Sequence, residues 1–198
     1  MQKEIEIKLK LDKTNSEKLN LWLTENAKYI NSLNITDYYF DNPKCSFYSM
    51  SKTGYKEALN FLRLRLSDKD NFICFKKREI DDSGKTLSVD EVETKVEDGF
   101  KVIEILKNSG FSEVIEIEKK REVFLYKNLF EFAIDNFDKH GEFIEIELKN
   151  YDGSALDGIE QIYNLLKAIK ITKFVLFDRG YLTIFINPNY DFGKNINL

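Results

Sequence analysis

The sequence has few of the residue types that build zinc sites or disulfide frameworks. It contains one histidine and two cysteines among 198 residues. Cys45 and Cys74 lack the paired spacing of metal ligands, and reduced thiols are favoured for them over a disulfide, which they also permit. The one histidine, His140, falls in the polar segment Asp138–Gly141. We therefore expect His140 to be an exposed turn residue and not a catalytic base.

Long apolar runs and an excess of positive charge are also missing. No hydrophobic stretch reaches transmembrane length, and the first four residues already include charged ones, which predicts no membrane partner and no signal peptide. The formal net charge of −4 argues against a general nucleic-acid-binding surface. These absences predict a cytoplasmic protein that binds neither membrane nor nucleic acid.

The chain is rich in charge and has a sizeable apolar fraction. Hydrophobic residues make up 42% and charged residues 32%, above the usual quarter for the charged class. At 198 residues the chain is long enough for one domain with a substantial core. We expect a single domain over residues 1–198, with its strands within about 3–150 and a helical or ambiguous segment over 156–186.

Alternation of charged and branched aliphatic residues is the dominant pattern. In Glu4–Lys8 the charged side chains share one face of a strand, and Ile5 and Ile7 share the other. The pattern recurs in segments joined by turn residues, which favours antiparallel hairpins in a sheet or barrel. The expected strands cover about residues 3–11, 36–40, 61–67, 72–80, 87–94, 113–126, 130–137 and 142–150.

Helical periods occur between some of these strands. Thr14 and Glu17 predict a capping box at the start of the first helix, and Gly110 predicts the end of the second. The expected helices cover residues 14–27, 97–109 and 156–169. Residues 41–58 read as a long polar loop, and the apolar residues 174–186 are ambiguous between helix and strand.

Like charges are paired two residues apart on single strands. The cationic pairs are Arg63/Arg65, Lys76/Arg78 and Lys119/Arg121, and the acidic pairs are Glu4/Glu6, Glu91/Glu93 and Glu145/Glu147. A solvated sheet face accounts for any one strand, but such a face normally mixes both signs. Like-charge pairs repel unless an opposite charge lies between them. Because arginine suits phosphate and hard cations prefer carboxylates, the whole set predicts a charged interior that holds a polyanion and its metal ions.

The ordered set of these segments resembles the CYTH family, also called triphosphate tunnel metalloenzymes. Glu4–Lys8 is similar to the ExExK strand of that family, Tyr39–Asp41 to its YFD strand and Leu62–Arg65 to its LRxR strand. The similarity continues through Phe75–Lys76, Glu91–Glu93, Lys119–Arg121, Asp135 and Gly141–Glu147. It covers about residues 1–150, with a weaker similarity at Arg179–Leu182.

The resemblance implies an α+β fold: an eight-stranded antiparallel barrel that forms a triphosphate tunnel with a charged lumen, covered by helices. It implies Mg²⁺ or Mn²⁺ as cofactor and a triphosphate-containing small molecule as ligand, and it leaves a homodimer open. The implied metal ligands are Glu4, Glu6, Asp135, Glu145 and Glu147, with Glu91 and Glu93 as further tunnel acids. The implied catalytic residues are Lys8, Lys76 and Lys119, and the implied phosphate-binding residues are Arg63, Arg65, Arg78, Arg121 and Arg179.

Three functions are compatible with this set of residues. Metal-dependent hydrolysis of inorganic tripolyphosphate, a nucleoside triphosphate or thiamine triphosphate is favoured. The alternative is a class IV adenylyl cyclase, but bacterial cyclases of this class tend to carry a His-Phe pair several residues before ExExK. Only Met1, Gln2 and Lys3 precede Glu4 here. The third hypothesis is a non-catalytic binder of polyphosphate or nucleotide. The carboxylate pairs argue against it because they repel a polyanion.

Overall fold

The computed structural model describes residues 5–80 and 86–198, and the side chains of residues 5–77 and 90–198. Twelve strands and four helices are formed by this part of the chain. The strands are β1 (Ile5–Lys10), β2 (Lys28–Asp41), β3 (Tyr48–Met50), β4 (Lys56–Ala58), β5 (Asn60–Ser67), β6 (Asn71–Ile80), β7 (Thr86–Val96), β8 (Ser112–Tyr126), β9 (Phe130–Phe137), β10 (Gly141–Leu148), β11 (Lys173–Phe177) and β12 (Gly193–Asn197). The helices are α1 (Lys13–Asn26), α2 (Gly99–Asn108), α3 (Ala155–Ala168) and α4 (Tyr181–Ile186).

The chain divides into two compact units. Unit 1 comprises Met1–Leu33, Lys119–Asp178 and Phe192–Leu198, and unit 2 comprises Asn34–Glu118 and Arg179–Asp191. In unit 1 the strands follow the order β12-β11-β1-β10-β9-β8, and each of these neighbouring pairs is antiparallel. The prediction of an α+β protein built mostly from antiparallel strands is confirmed.

The core of unit 1 lies between one face of this sheet and two helices. Ile5 and Ile7 of β1 are buried in the same cluster as Leu19 of α1 and Ile162 of α3. Helix α3 comes so close to β1 that a Cβ added to Gly158 would lie 2.9 Å from Cδ1 of Ile5. The isoleucines of the opening alternation therefore lie under helices, as predicted, and the charged residues between them occupy the other face.

Helix α1 begins one residue earlier than predicted. The side chain of Asp12 accepts a hydrogen bond from the backbone N–H of Asn15 at 2.8 Å, so Asp12 is the N-cap residue. The predicted capping box of Thr14 and Glu17 is wrong, because an aspartate just before the helix already satisfies a free amide of the first turn. Trp22 of α1 is partly buried against the core and packs edge-on against Tyr126, with 4.8 Å between the ring centroids.

In unit 2 the neighbouring strands run in the order β2-β5-β6-β7, and each pair is antiparallel. Helix α2 lies against β5, where a Cβ on Gly99 would collide with the side chain of Leu66. Gly110 follows α2 with a φ of 90°, and the N–H of Phe111 donates to the carbonyl of Leu106. The predicted glycine stop is confirmed, since this left-handed position favours glycine.

Two segments differ from the sequence-based expectation. The polar stretch 41–58 contains the small antiparallel sheet of β3 and β4, with Tyr48 and Ala58 buried. The ambiguous stretch 174–186 contains both elements, because β11 ends at Phe177 and α4 begins at Tyr181. In the described residues, no helix combines the length and the apolar character that crossing a bilayer requires.

Candidate active site

The centre of the charged face of unit 1 is Asp135, which is completely buried on β9. Its register partner across the β8–β9 pair is Arg121. Arg121 Nε donates to Asp135 Oδ1 at 2.6 Å, and Lys119 Nζ donates to Oδ2 at 3.1 Å. Burial alone would raise the pKa of Asp135, but the hydrogen bond from Arg121 and the charge of Lys119 outweigh burial and lower it. Asp135 is therefore an ionised anchor between two cations.

Glu145 on β10 extends this cluster toward β1. Its carboxylate contacts Lys8 Nζ at 2.9 Å and also accepts a hydrogen bond from Nη2 of Arg121. Burial would raise the pKa of Glu145, but the charges of Lys8 and Arg121 outweigh burial and lower it. The cluster thus holds three cations and two carboxylates, and it carries a net positive charge.

A second row of charges lies on the same strands, two residues from Lys8 and Glu145 and four residues from Asp135. Glu6 of β1 is the register partner of Glu147 of β10, which is in turn the partner of Glu131 of β9. Side chains directly opposite one another on antiparallel strands have Cβ atoms roughly 4.5–5.5 Å apart. Lys149 contacts this row, with its Nζ 2.7 Å from Glu147 and 3.3 Å from Glu131. We call these four residues the acidic row.

Unit 2 has its own charged face, centred on Asp37 of β2. Asp37 is 3% exposed and is the register partner of Arg65 on β5. Arg65 donates to both carboxylate oxygens of Asp37, from Nε at 2.7 Å and from Nη2 at 2.8 Å. Arg63 Nε lies 4.0 Å from the same carboxylate. The paired arginines of β5 therefore converge on a buried aspartate.

The other side of this face is formed by β6 and β7. Lys76 Nζ lies 2.7 Å from Glu91, and Arg63 Nη2 lies 3.5 Å from Glu93. The thiol of Cys74 donates to Glu91 at 3.1 Å, and burial raises the pKa of that thiol to about 12. Burial would raise the pKa of Glu91, whereas the hydrogen bonds from Lys76 and Cys74 lower it, and the net shift is downward.

Arg179 belongs to unit 2 and lies just before α4. Its Nη2 donates to the hydroxyl of Tyr55 at 3.2 Å, and its guanidinium carbon lies 5.9 Å from the centre of that ring. Asn187 at the end of α4 donates to the carbonyl of Lys56 and accepts from its backbone N–H. Helix α4 thereby holds Arg179 beside the β3–β4 sheet. Glu4 and the side chain of Arg78, two further residues of the predicted set, lie outside the described part.

Four residues on these faces were absent from the predicted site. Asp37 shares a strand face with Tyr39, Glu131 precedes Asp135 by four residues, and Lys149 follows Glu147 by two. Cys74 precedes Lys76 by two. Spacings of two and four residues place side chains on one face of a strand, so the same parity rule finds all four. Their partners depend on strand register, which the parity rule does not supply.

Carboxylates that could bind a hard divalent cation occur on both charged faces. The acidic row offers three carboxylates from adjacent strands, which is the donor chemistry that Mg²⁺ and Mn²⁺ prefer. In unit 2, ligand atoms of Cys74, Glu91 and Glu93 lie within 4.8 Å of one another, but Lys76 and Arg63 contact the two carboxylates. Asp135 and Glu145 likewise have cations on their carboxylates. Among the described residues only the unit 2 group converges to within 4.8 Å, whereas the acidic row offers carboxylate chemistry on three strands that register places side by side.

The fold and the site define a class of protein, an antiparallel α+β protein with a charged sheet face in each unit. The model of the CYTH domain family matches residues 2–181, and this chain belongs to that family. Members of the family are adenylyl cyclases or triphosphatases, and they generally depend on divalent metal ions.

Individual relatives are consistent with this assignment. The chain is 32% identical over 187 residues to a Methanocaldococcus jannaschii protein named "Putative adenylate cyclase MJ0240", covering 91% of this chain and 97% of the relative. The PH1819 protein of Pyrococcus horikoshii has a similar fold, with a TM-score of 0.70, 26% identity and coverage of 94% and 99%. A Hippeastrum protein named "Putative adenylyl cyclase HpAC1" has a TM-score of 0.67 at 15% identity, with coverage of 93% and 95%.

Proposed function

We propose that this protein hydrolyses a triphosphate with the aid of Mg²⁺ or Mn²⁺. The observation that carries the proposal is the sorting of charge on the face of unit 1. Glu6 and Glu147 belong to the acidic row. Two residues along the same strands lie Lys8 and Glu145, which belong to the net positive cluster around Asp135. A triphosphate with its metal ion has the complementary pattern, since the metal suits carboxylates and the phosphate oxygens suit ammonium and guanidinium groups.

In this proposal Glu6 and Glu147 hold the metal ion, together with Glu4. A bound Mg²⁺ or Mn²⁺ would neutralise charge on the phosphate oxygens and activate the attacking water. Lys8, Lys119 and Arg121 would bind phosphate oxygens and stabilise the charge that moves to the leaving group. Asp135 and Glu145 hold these cations in place through the contacts of 2.6–3.1 Å described above. Asp135 and Glu145, which the resemblance implied as metal ligands, are thereby assigned to orienting lysine and arginine side chains.

In unit 2 the proposal assigns phosphate binding to the cations of that unit's own charged face. Arg63, Arg65 and Lys76 would bind phosphate, with Asp37 fixing the two guanidinium groups. Arg78 and Arg179 are proposed for the same role. Glu91 and Glu93 contact Lys76 and Arg63, so they would orient these cations in the way that Asp135 orients those of unit 1.

Adenylyl cyclisation is the second candidate, and one observation favours it. The relative that shares 32% identity over nearly the whole chain carries the name of an adenylate cyclase. The Hippeastrum protein, which has a similar fold and is named for a dominant triphosphatase activity, supports hydrolysis as the first candidate. In cyclisation the ribose 3′-hydroxyl of ATP attacks the α-phosphorus and pyrophosphate leaves. In hydrolysis, water attacks a terminal phosphorus, the bond from that phosphorus to the bridging oxygen breaks, and the attacked group becomes orthophosphate while the diphosphate part leaves.

The test is to incubate the purified protein with Mg²⁺ or Mn²⁺ and tripolyphosphate, ATP or thiamine triphosphate. Orthophosphate without cyclic AMP supports hydrolysis, whereas cyclic AMP with pyrophosphate establishes the cyclase. Tight binding without turnover of any substrate would favour a non-catalytic binder. The double variant Glu6→Gln, Glu147→Gln should lower kcat/KM about 100-fold or more, because it removes metal ligands. Glu122→Gln, an exchange outside both charged faces, is the matched control.

A further inference from the structure

Lys149 and Glu131 are the two residues of the acidic row to which the proposed function gives no role. Lys149 directly follows β10, and its backbone N–H donates to the carbonyl of Leu129 at 2.8 Å. Its ammonium group contacts two carboxylates on neighbouring strands, Glu147 at 2.7 Å and Glu131 at 3.3 Å. The backbone of Lys149 is thus fixed, while its side chain is 36% exposed and has room to move into solvent.

The ammonium of Lys149 lies against two of the three carboxylates of the acidic row. Glu6, Glu147 and Glu131 are register partners across β1, β10 and β9, so three like charges lie side by side. Directly opposed like charges destabilise a sheet. Lys149 relieves part of this repulsion, and the formal charge of the four residues is −2, from three carboxylates and one ammonium. One divalent cation carries the opposite charge.

We propose that Lys149 is a resident counter-cation that competes with the divalent metal ion for Glu147, and that Glu131 holds Lys149 in this position. Lys149 is a positioning residue in this sense, because it acts through Glu147 and not on substrate. The inference rests on the proposed function, in which Glu6 and Glu147 bind the metal. It goes further by naming the residues that set the affinity of the site for metal.

Removing the charge of Lys149 and removing the charge of Glu131 should have opposite effects on the affinity for Mn²⁺. Lys149→Met leaves Glu147 and Glu131 without the ammonium that contacts both, so the affinity for Mn²⁺ should increase. Glu131→Gln leaves Lys149 with Glu147 and removes one negative charge, so the affinity should fall. A unit charge about 6 Å from a divalent ion in a solvated, salt-screened site changes the dissociation constant by about three- to tenfold. The double variant has the original formal charge of −2 and should bind Mn²⁺ within about twofold of the unaltered protein.

The test is titration of the full chain with Mn²⁺ alone, followed by calorimetry or by electron paramagnetic resonance of free Mn²⁺. These readouts need neither substrate nor turnover. Lys120→Met is the matched control, because Lys120 contacts Glu122 at 2.9 Å with the same two-residue spacing and alternates with Lys119 and Arg121 on β8. It should leave Mn²⁺ affinity unchanged. Raising the salt concentration should shrink the differences between variants.

The outcomes separate this inference from the proposed function. Tighter binding by Lys149→Met with weaker binding by Glu131→Gln supports it. If Glu6→Gln weakens Mn²⁺ binding but Lys149→Met does not strengthen it, the inference is wrong and the metal assignment of the proposed function stands. If the unaltered protein does not bind Mn²⁺ at millimolar concentration, both are wrong.

Discussion

Arg121 is the register partner of Asp135 and donates its Nε to the buried carboxylate at 2.6 Å. The same relationship occurs in unit 2, where Arg65 is the register partner of Asp37 and donates to it at 2.7 Å. In each unit a second cation, two residues away on the same strand, approaches the same aspartate. A buried aspartate thus accommodates each of these two cationic pairs, and their cations are held in place before any ligand binds.

Asp135→Asn should destabilise the protein strongly. The substitution leaves Lys119, whose side chain is 1% exposed, and Arg121 without their shared counter-charge in a buried place. Removing one partner of a buried ion pair typically costs about 3–5 kcal/mol, because the remaining charge is desolvated without compensation. The free energy of unfolding measured in urea should fall by about this amount.

Asp138→Asn is the matched control for that experiment. Asp138 lies three residues away in the exposed turn after β9. A surface substitution of this kind usually changes stability by less than about 0.5 kcal/mol. Equal stability of the Asp135→Asn variant and the unaltered protein would contradict the assignment of Asp135 as the anchor of the two cations.

Acid should destabilise unit 1 through Glu145 and Asp135. In both residues burial raises the pKa, but nearby cations outweigh burial, so both folded-state pKa values lie below the unfolded ones. The stability they contribute is present above the ordinary carboxyl pKa of about 4 and is lost as pH falls toward the lower folded-state values. The free energy of unfolding should therefore decrease between about pH 5 and about pH 2.

The Glu145→Gln variant tests the source of this dependence. It cannot titrate at that position, so the decrease in unfolding free energy over the acid range should be smaller by about 1–3 kcal/mol. Glu160→Gln, at an exposed position on α3, should retain the full decrease. An unaltered acid slope in Glu145→Gln would show that Lys8 and Arg121 do not lower the pKa of Glu145.

The two cysteines should differ sharply in reactivity. Cys45 is exposed, whereas Cys74 is 1% exposed and donates its thiol proton to Glu91. Because burial raises the pKa of Cys74 to about 12, almost none of it is thiolate at neutral pH. Ellman's reagent should therefore modify one thiol rapidly in the native protein, and the second only on unfolding. In Cys45→Ser the rapid phase should disappear, and its persistence would mean that Cys74 is accessible.

The sequence predicted which residues share a face more fully than it predicted their contacts. The two-residue period of a strand placed Lys119 and Arg121 on one side and the isoleucines of β1 on the other, and the structure agrees. Register is a different matter, because it depends on how strands align in three dimensions. Only the register shows that Glu6 lies beside Glu147 and that Glu147 lies beside Glu131.

The like-charge pairs were interpreted from the sequence as evidence for a bound ion. The structure adds a protein group to that interpretation, because Asp37 and Asp135 already lie between the cations of β5 and β8. In the sequence, Asp135 follows the apolar residues 132–134, which is a signal for a buried aspartate. Asp37 has no such apolar run before it. Short or aperiodic segments were the least predictable, since the three-residue strands β3 and β4 are too brief to show an alternation.

Gly158→Ala should destabilise the packing of α3 on β1. Alanine is favoured over glycine in a helix interior by about 1 kcal/mol, so propensity alone predicts stabilisation. The added Cβ, however, would lie 2.9 Å from Cδ1 of Ile5 and 3.1 Å from Cδ1 of Leu148, and both of these side chains are buried in the core. Overpacking of a dense core costs about 1–3 kcal/mol, which exceeds the gain in propensity. We expect a net loss of about 1 kcal/mol in urea unfolding. Glu160→Ala on the same helix is exposed and should show almost no loss, so greater stability of Gly158→Ala would mean that Ile5 moves aside at little cost.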